Sequence, residues 1–221
     1  MRRQLTIMGN KCSSFVAQTY PNNEELKIRA LGIRRRGTVL SETNTIDEQK
    51  DAAYDVISAI EKLQMKSRVH AKPILLEMHD AYYTLGRVAI KSHSSAPVFA
   101  IEHFKKCEEI LYLTGHNKTD INVLKLQMHI AEEASQLPNA NKELSDQAIL
   151  ELQTTVCHET LRKFGNTSPS SIAEAWNLAV TLFDLKRFDE AQGGVGQFSR
   201  GIAPRAWFRA SQNETDRRFY A

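Results

Sequence analysis

The sequence predicts an all-α protein built as a short solenoid of helix pairs. Three observations carry that prediction. Apolar residues recur at helical spacing through most of 45–191, as in Ala52, Val56, Ala59, Ile60 and Leu63. Proline, glycine and polar clusters cut this pattern into helix-sized pieces. The chain also repeats itself. Cys107-x-Glu109-x-Leu111-x-x-x-Gly115 returns 50 positions on (157 against 107) as Cys157-x-Glu159-x-Leu161-x-x-x-Gly165. A weaker copy, Ala59-x-Glu61-x-Leu63-x-x-x-Ser67, precedes them, and each copy is followed by a polar linker and a helix opening with isoleucine: Ile74, Ile121, Ile172. One helix pair cannot bury its apolar face alone, so such pairs stack and share a core.

In chain order, residues 1–44 are rich in Ser, Thr, Asn and Arg and show no sustained period, which reads as a disordered N-terminal segment. Thr45 and Glu48 form a capping-box signature for a helix over about 46–67. Pro73 suits a first helical turn, and Ile74, Met78, Ala81, Tyr82, Leu85 and Val88 continue to about residue 91. KSHSSAP (91–97) is a loop. The next helix, about 97–113, carries Phe99, Phe104, Cys107 and Leu111, with Gly115 as its stop. Helices over about 119–136 and 142–164 flank the break QLPNAN (136–141). A helix opening near Ile172 runs to Leu185, and a turn at Lys186–Arg187 opens another at Phe188. Gly193, Gly194 and Gly196 then interrupt, each costing roughly 1 kcal/mol of helix relative to alanine. The expected organisation is therefore 1–44 disordered, 45–191 a helical repeat domain, and 192–221 an irregular tail with at most one short helix.

Composition narrows the function class. A hydrophobic content of 42% and a charged content of 25% are those of an ordinary globular domain. A net charge of +3 is too small to imply nucleic acid without a clustered basic face. Three cysteines without CxxC spacing suit a reducing, cytoplasmic compartment better than a disulfide framework or zinc site. No apolar run reaches the roughly 18 residues of a membrane span.

The stretch 157–191 resembles a tetratricopeptide (TPR) motif of the longer-linker, kinesin-light-chain type. Asn177-Leu178-Ala179, Leu182 and Arg187-Phe188-Asp189-Glu190-Ala191 carry the resemblance, with Phe164-Gly165 through Ile172 as linker. It implies a right-handed α-solenoid of about three TPR-like pairs and a non-catalytic protein-interaction adaptor. A peptide or partner helix would lie on the face of the first helices, about 74–90, 121–135 and 172–185. Asn177 matches the motif position for ligand contact; Tyr83, Asn122 and Lys125 are further partner-binding candidates.

Other signals compete. If translation begins at Met8, Gly9 becomes N-terminal in a myristoylation pattern, Cys12 is a palmitoylation candidate and Arg34–Arg36 a polybasic helper, giving a membrane-anchored scaffold on the cytoplasmic face. Arg35-Arg36-Gly37-Thr38 reads as a basophilic kinase site at Thr38. An RNA-binding helical repeat is a third reading, opposed by the mixed charges of the first helices. The histidines have no metal-ligand spacing, and no P-loop, GxGxxG or GxSxG occurs, so neither enzyme, metal nor cofactor is expected. Cys107 and Cys157 read as small buried residues at helix crossings. Glu77, Asp80 and Glu109 are helix-face carboxylates with no partner assignable from sequence.

Overall fold

The computed structural model describes residues 14–16, 18–19, 23–40, 44–64, 71–92 and 97–191. Among them every regular element is helical. The seven long helices are α1 (Glu24–Leu40), α2 (Ile46–Gln64), α3 (Lys72–Lys91), α4 (Pro97–Leu113), α5 (Ile121–Ser135), α6 (Lys142–Phe164) and α7 (Pro169–Asp184). A further helical turn opens at Phe188. The chain divides into two compact units between Ser145 and Asp146, within the first turn of α6.

Local chemistry places the helix ends. At α2 the Thr45 N–H donates to Glu48 Oε2 (2.7 Å) and the Glu48 N–H to Thr45 Oγ1 (3.2 Å), a closed capping box. Asp120 and Ser168 cap α5 and α7, accepting from the N–H groups of Asn122 and Ser171. Pro73 and Pro169 occupy first turns, where no N–H is needed. Gly115 and Gly165 both take left-handed backbone, φ 93° and 79°, so the repeated glycine ends α4 and α6 by one mechanism.

In the first unit each helix from α1 to α5 packs on the next, and α1 also packs on α3. Ile28, Val56, Ile57, Ile60, Ile74, Ala81 and Leu85 form one apolar cluster; Ala100, Phe104, Cys107, Leu111, Val123 and Leu126 form the next. Tyr82 touches both, which makes the core continuous across layers. Burying each Ile, Leu or Phe side chain contributes roughly 1.5–3 kcal/mol. Close approach is set by Gly86, where a Cβ would stand 2.5 Å from the fully buried Phe104 ring.

The expectation of a disordered 1–44 does not hold over Glu24–Leu40, where α1 is a helix with a buried face. That face is Ile28, Ala30, Gly32, Arg35, Gly37 and Thr38. Two glycines, an arginine and a threonine are not an apolar stripe, so a search for hydrophobic period passes over it. α1 is also the missing first helix of the weakest repeat copy, the one carried by α2. The first helices α1, α3, α5 and α7 thus alternate with α2, α4 and α6.

In the second unit, α6 buries Leu150, Gln153, Val156, Cys157 and Thr160, and α7 buries Ser171, Glu174, Ala175 and Leu182. Gln153 Nε2 donates to Glu174 Oε2 (3.4 Å), and Ser171 Oγ donates to the Thr160 carbonyl (3.4 Å). Phe183 and Phe188 meet edge to face at 5.1 Å. Lys186, φ 61°, makes the tight turn between their helices.

Candidate partner-binding face

The first helices of the first unit leave one stripe each toward solvent, at i, i+3, i+4, i+7 spacing. On α1 it is Arg29, Ile33, Arg36 and Leu40; on α3, Leu76, Asp80, Tyr83 and Arg87; on α5, Asn122, Lys125, His129 and Glu132. The stripe of α3 is anchored from α1. Arg35, 5% exposed, donates to the Asp80 carbonyl (2.8 Å), Thr84 Oγ1 (2.7 Å) and Asp80 Oδ2 (3.0 Å). Arg36 Nη1 donates to both Glu77 carboxylate oxygens at 2.9 and 2.8 Å. Arg34 reaches back to Asp55 on α2 (2.8 Å). The arginine run is therefore a clamp holding α1 to α2 and α3 rather than a basic patch, and Glu77 and Asp80 are its acceptors.

Burial would raise the Asp80 pKa, but the His79 hydrogen bond and the charges of Arg35 and Arg36 outweigh it and hold the carboxyl below its ordinary value. Burial lowers the Arg35 pKa, with Asp80 and Glu77 opposing, and a guanidinium so far above neutrality stays charged. Its Nε is left without a partner among the described residues.

Tyr83 lies half-buried between α4 and α5. Its ring contacts Phe104 at 5.8 Å and His129 at 6.2 Å, and its hydroxyl is 3.5 Å from His129 Nε2. His129 Nδ1 in turn stands 3.1 Å from Glu132. A polar line thus runs Arg35–Asp80–His79 and, through the stacked His79 and Tyr83 rings, on to His129 and Glu132. Asn122 is exposed at the start of α5, and Lys125 is half-buried one turn on. Asn177, in the second unit, is exposed on α7 with Nδ2 3.4 Å from Glu174. Tyr83, Asn122 and Lys125 are thus brought onto the first-helix stripes of one unit, and Asn177 onto the first helix of the other. Arg35, Asp80 and His129, which organise that surface, were not among the sequence candidates. The only sequence signal was the pairing of an arginine run with carboxylates of no assigned partner.

Thr38 is not placed as a kinase site would be. It is buried in α1, and its hydroxyl donates to the Arg34 carbonyl (3.0 Å), so a kinase reaches it only if α1 unfolds. Gly9 and Cys12 lie outside the described residues, as does the whole of 192–221. The repeat cysteines are buried free thiols. Burial pushes the Cys107 pKa far up and that of Cys157 up to about 11, which suppresses thiolate chemistry at both. Among the described residues, no group of three or more His, Cys, Asp or Glu side chains is placed to hold a metal ion, and no helix is long and apolar enough to cross a membrane.

Stacked helix pairs with a repeated core define the TPR-like class of α-solenoid. No family model and no curated protein matches the sequence. Solved structures do. A Podosopora anserina protein with nearly identical TPR-like repeats of the kinesin light chain kind is similar with TM-score 0.58 and 16% identity, over 96% of this chain and 89% of that one. A second crystal structure of those repeats matches with TM-score 0.56 over 98% of this chain and 89% of that one, also at 16% identity. BtubC (BKLC) from P. vanneervenii is similar with TM-score 0.59 and 9% identity, over 92% of this chain and 76% of that one. At these identities the likeness is one of fold: the chain has a TPR-like helical repeat fold, similar to that of the kinesin-light-chain-type repeats.

Proposed function

We propose that the protein is a non-catalytic adaptor that holds a peptide or partner helix against the exposed stripes of its first helices. The observation that carries the reading is the Tyr83 neighbourhood: an aromatic ring and hydroxyl at the surface, held from below by Phe104 and from the side by His129. Rigid amphipathic side chains of this kind contribute contact area at low entropic cost. Asn122 and Lys125 offer polar contacts on α5 of the same unit, and Asn177 is a separate candidate contact on α7 of the other unit. The working array, on this reading, runs from Glu24 to Ala191 and acts in the cytoplasm, the compartment the unpaired cysteines suit. Charges of both signs on the stripes, Arg29 and Arg36 beside Asp80 and Glu132, favour a protein ligand over RNA.

Affinity capture on the full chain, compared with Tyr83→Ala, Lys125→Glu and Asn177→Ala variants, tests this. The expected result is a small set of proteins retained by the wild type and lost from Tyr83→Ala and Lys125→Glu, with both variants normally helical. An Asn177→Ala chain that folds and retains every partner would show that Asn177 takes no part in binding. Equal retention by all three variants would overturn the reading.

A further inference from the structure

One contact of α1 hides both Thr38 and the arginines before it. Thr38 is buried, and its hydroxyl donates to the Arg34 carbonyl. Arg35 and Arg36, three and two residues earlier, stand where an arginine-directed protein kinase reads its substrate. Carboxylates of α3 hold both: Arg35 Nη2 donates to Asp80 Oδ2 (3.0 Å) and Arg36 Nη1 to Glu77 Oε2 (2.8 Å). Those carboxylates occupy the arginines as the acidic groups of such a kinase would. A movement of α1 off α3 therefore bares the acceptor and its recognition residues together.

The seat of α1 is mostly polar. Of its buried residues Ile28 is the one large apolar side chain, beside Ala30, Gly32, Arg35, Gly37 and Thr38. Gly32 and Gly37 weaken the helix itself. Arg34 and Asp55 are exposed on both sides of their ion pair, and pairs that water reaches add little. A layer held this way opens before an apolar core does. A phosphate on Thr38 opposes its return. It carries about −1.5 to −2 charges at pH 7, and docking would take that charge out of water. It would also stand in the last turn of α1, which holds no basic residue and where negative charge is disfavoured. Arg34 and Arg35, four and three residues before it, are within its reach along the helix, and pairing with them withdraws both from Asp55 and Asp80.

We propose that an arginine-directed kinase phosphorylates Thr38 on the undocked α1, and that the phosphate then holds α1 off α2 and α3. The γ-phosphoryl group of ATP passes to Thr38 Oγ1, the kinase's base takes the hydroxyl proton, and ADP leaves. The released state bares Glu77, Asp80 and the layer of Ile57, Ile60 and Ile74 that Ile28 closes. The switch needs no partner on the first-helix face and does not depend on that reading.

The test incubates the full chain with Mg-ATP and the catalytic subunit of cyclic-AMP-dependent protein kinase, beside a free peptide of residues 29–40. Fragment mass spectrometry follows phosphate at Thr38. The peptide is expected to be modified fastest, and the folded chain more slowly. A Glu77→Gln, Asp80→Asn double variant keeps the kinase's recognition sequence and loses the clamp, so it is expected to react roughly tenfold faster than wild type. Asp55→Asn, at an exposed position, is expected to shift the rate the same way and decides the matter if the double variant does not fold. After modification, amide hydrogen exchange over 24–40 is expected to lose its protection while α4 and α5 keep theirs. Four results would each overturn the proposal: no phosphate at Thr38 in the peptide or in the wild-type chain, equal rates in wild type and the clamp variants, phosphate at Thr38 with exchange over 24–40 unchanged, or the same loss of protection in kinase-treated Thr38→Val.

Discussion

Arg35 is a single residue on which the seating of α1 turns. It brings one buried charge and meets it with three acceptors, so removing it strands Asp80 and Thr84 rather than merely deleting a contact. Arg35→Met is expected to lower stability by about 2–3 kcal/mol, read as a fall in Tm of roughly 5–10 °C for a chain of this size. Asp80 and Glu133 make opposite predictions for pH. The folded Asp80 pKa is lowered, so its contribution is present above the unfolded carboxylate value, near 3.9, and disappears as pH falls through the folded pKa. Asp80→Asn should therefore destabilise at pH 7, and the difference from wild type should close in acid. Glu133 is buried, and its pKa is raised by that burial and by Glu132, with His129 opposing. Its ionisation then costs stability at neutral pH, and the cost vanishes below the unfolded value, near 4.3. Glu133→Gln should raise Tm at pH 7 and change it little at pH 4. Thermal melts of the two variants across pH 3–7 check both signs; parallel shifts at every pH would count against the assigned charges.

At the scale of elements, α3 and α4 cross where Gly86 meets Phe104. The ring is fully buried and cannot swing clear, so Gly86→Ala should overpack the crossing and cost about 1–3 kcal/mol. Denaturant unfolding with an unchanged m-value would show a loss of stability without a change of fold. Gly32 is a contrasting case. A methyl group there would overlap the end of the Glu77 side chain, which Arg36 holds from above, so the α1–α3 seam rather than the core would yield. The repeat gains its physical meaning at this scale. Cys107 and Cys157 are both fully buried at the matching repeat positions, and Gly115 and Gly165 both take left-handed backbone at the ends of their helices. These positions were legible in the sequence because local rules and a fifty-residue period specify them together. The boundaries of α2 to α7 fell within a few residues of expectation for the same reason.

For the whole molecule, α1 behaves as the layer that closes the open side of the first core cluster. Ile28 sits in that cluster with Ile57, Ile60 and Ile74. A chain lacking residues 1–40 would expose this apolar layer and leave Glu77 and Asp80 without their arginines. It should melt lower and bind an apolar dye such as ANS; equal Tm and no dye binding would mean that α1 is dispensable. The division at Ser145 falls just after QLPNAN, which the composition of the sequence already marked as a break.

The sequence by itself determined the helical class, the repeat, the capped start of α2, the proline in the first turn of α3, and the glycine stops, because each depends on residues within one or two helical turns. It also carried the likeness to TPR repeats through Asn177, Leu182 and Arg187–Ala191. Tertiary structure alone decided that 24–40 is a helix, since its buried face includes two glycines and an arginine, Arg35, whose partners lie 45 to 49 residues away. Tertiary structure likewise turned a supposed basic patch into a clamp, buried Thr38, and wedged Tyr83 against His129. None of these follows from periodicity, because charge pairing and burial depend on which helices meet, and that is a property of the stack.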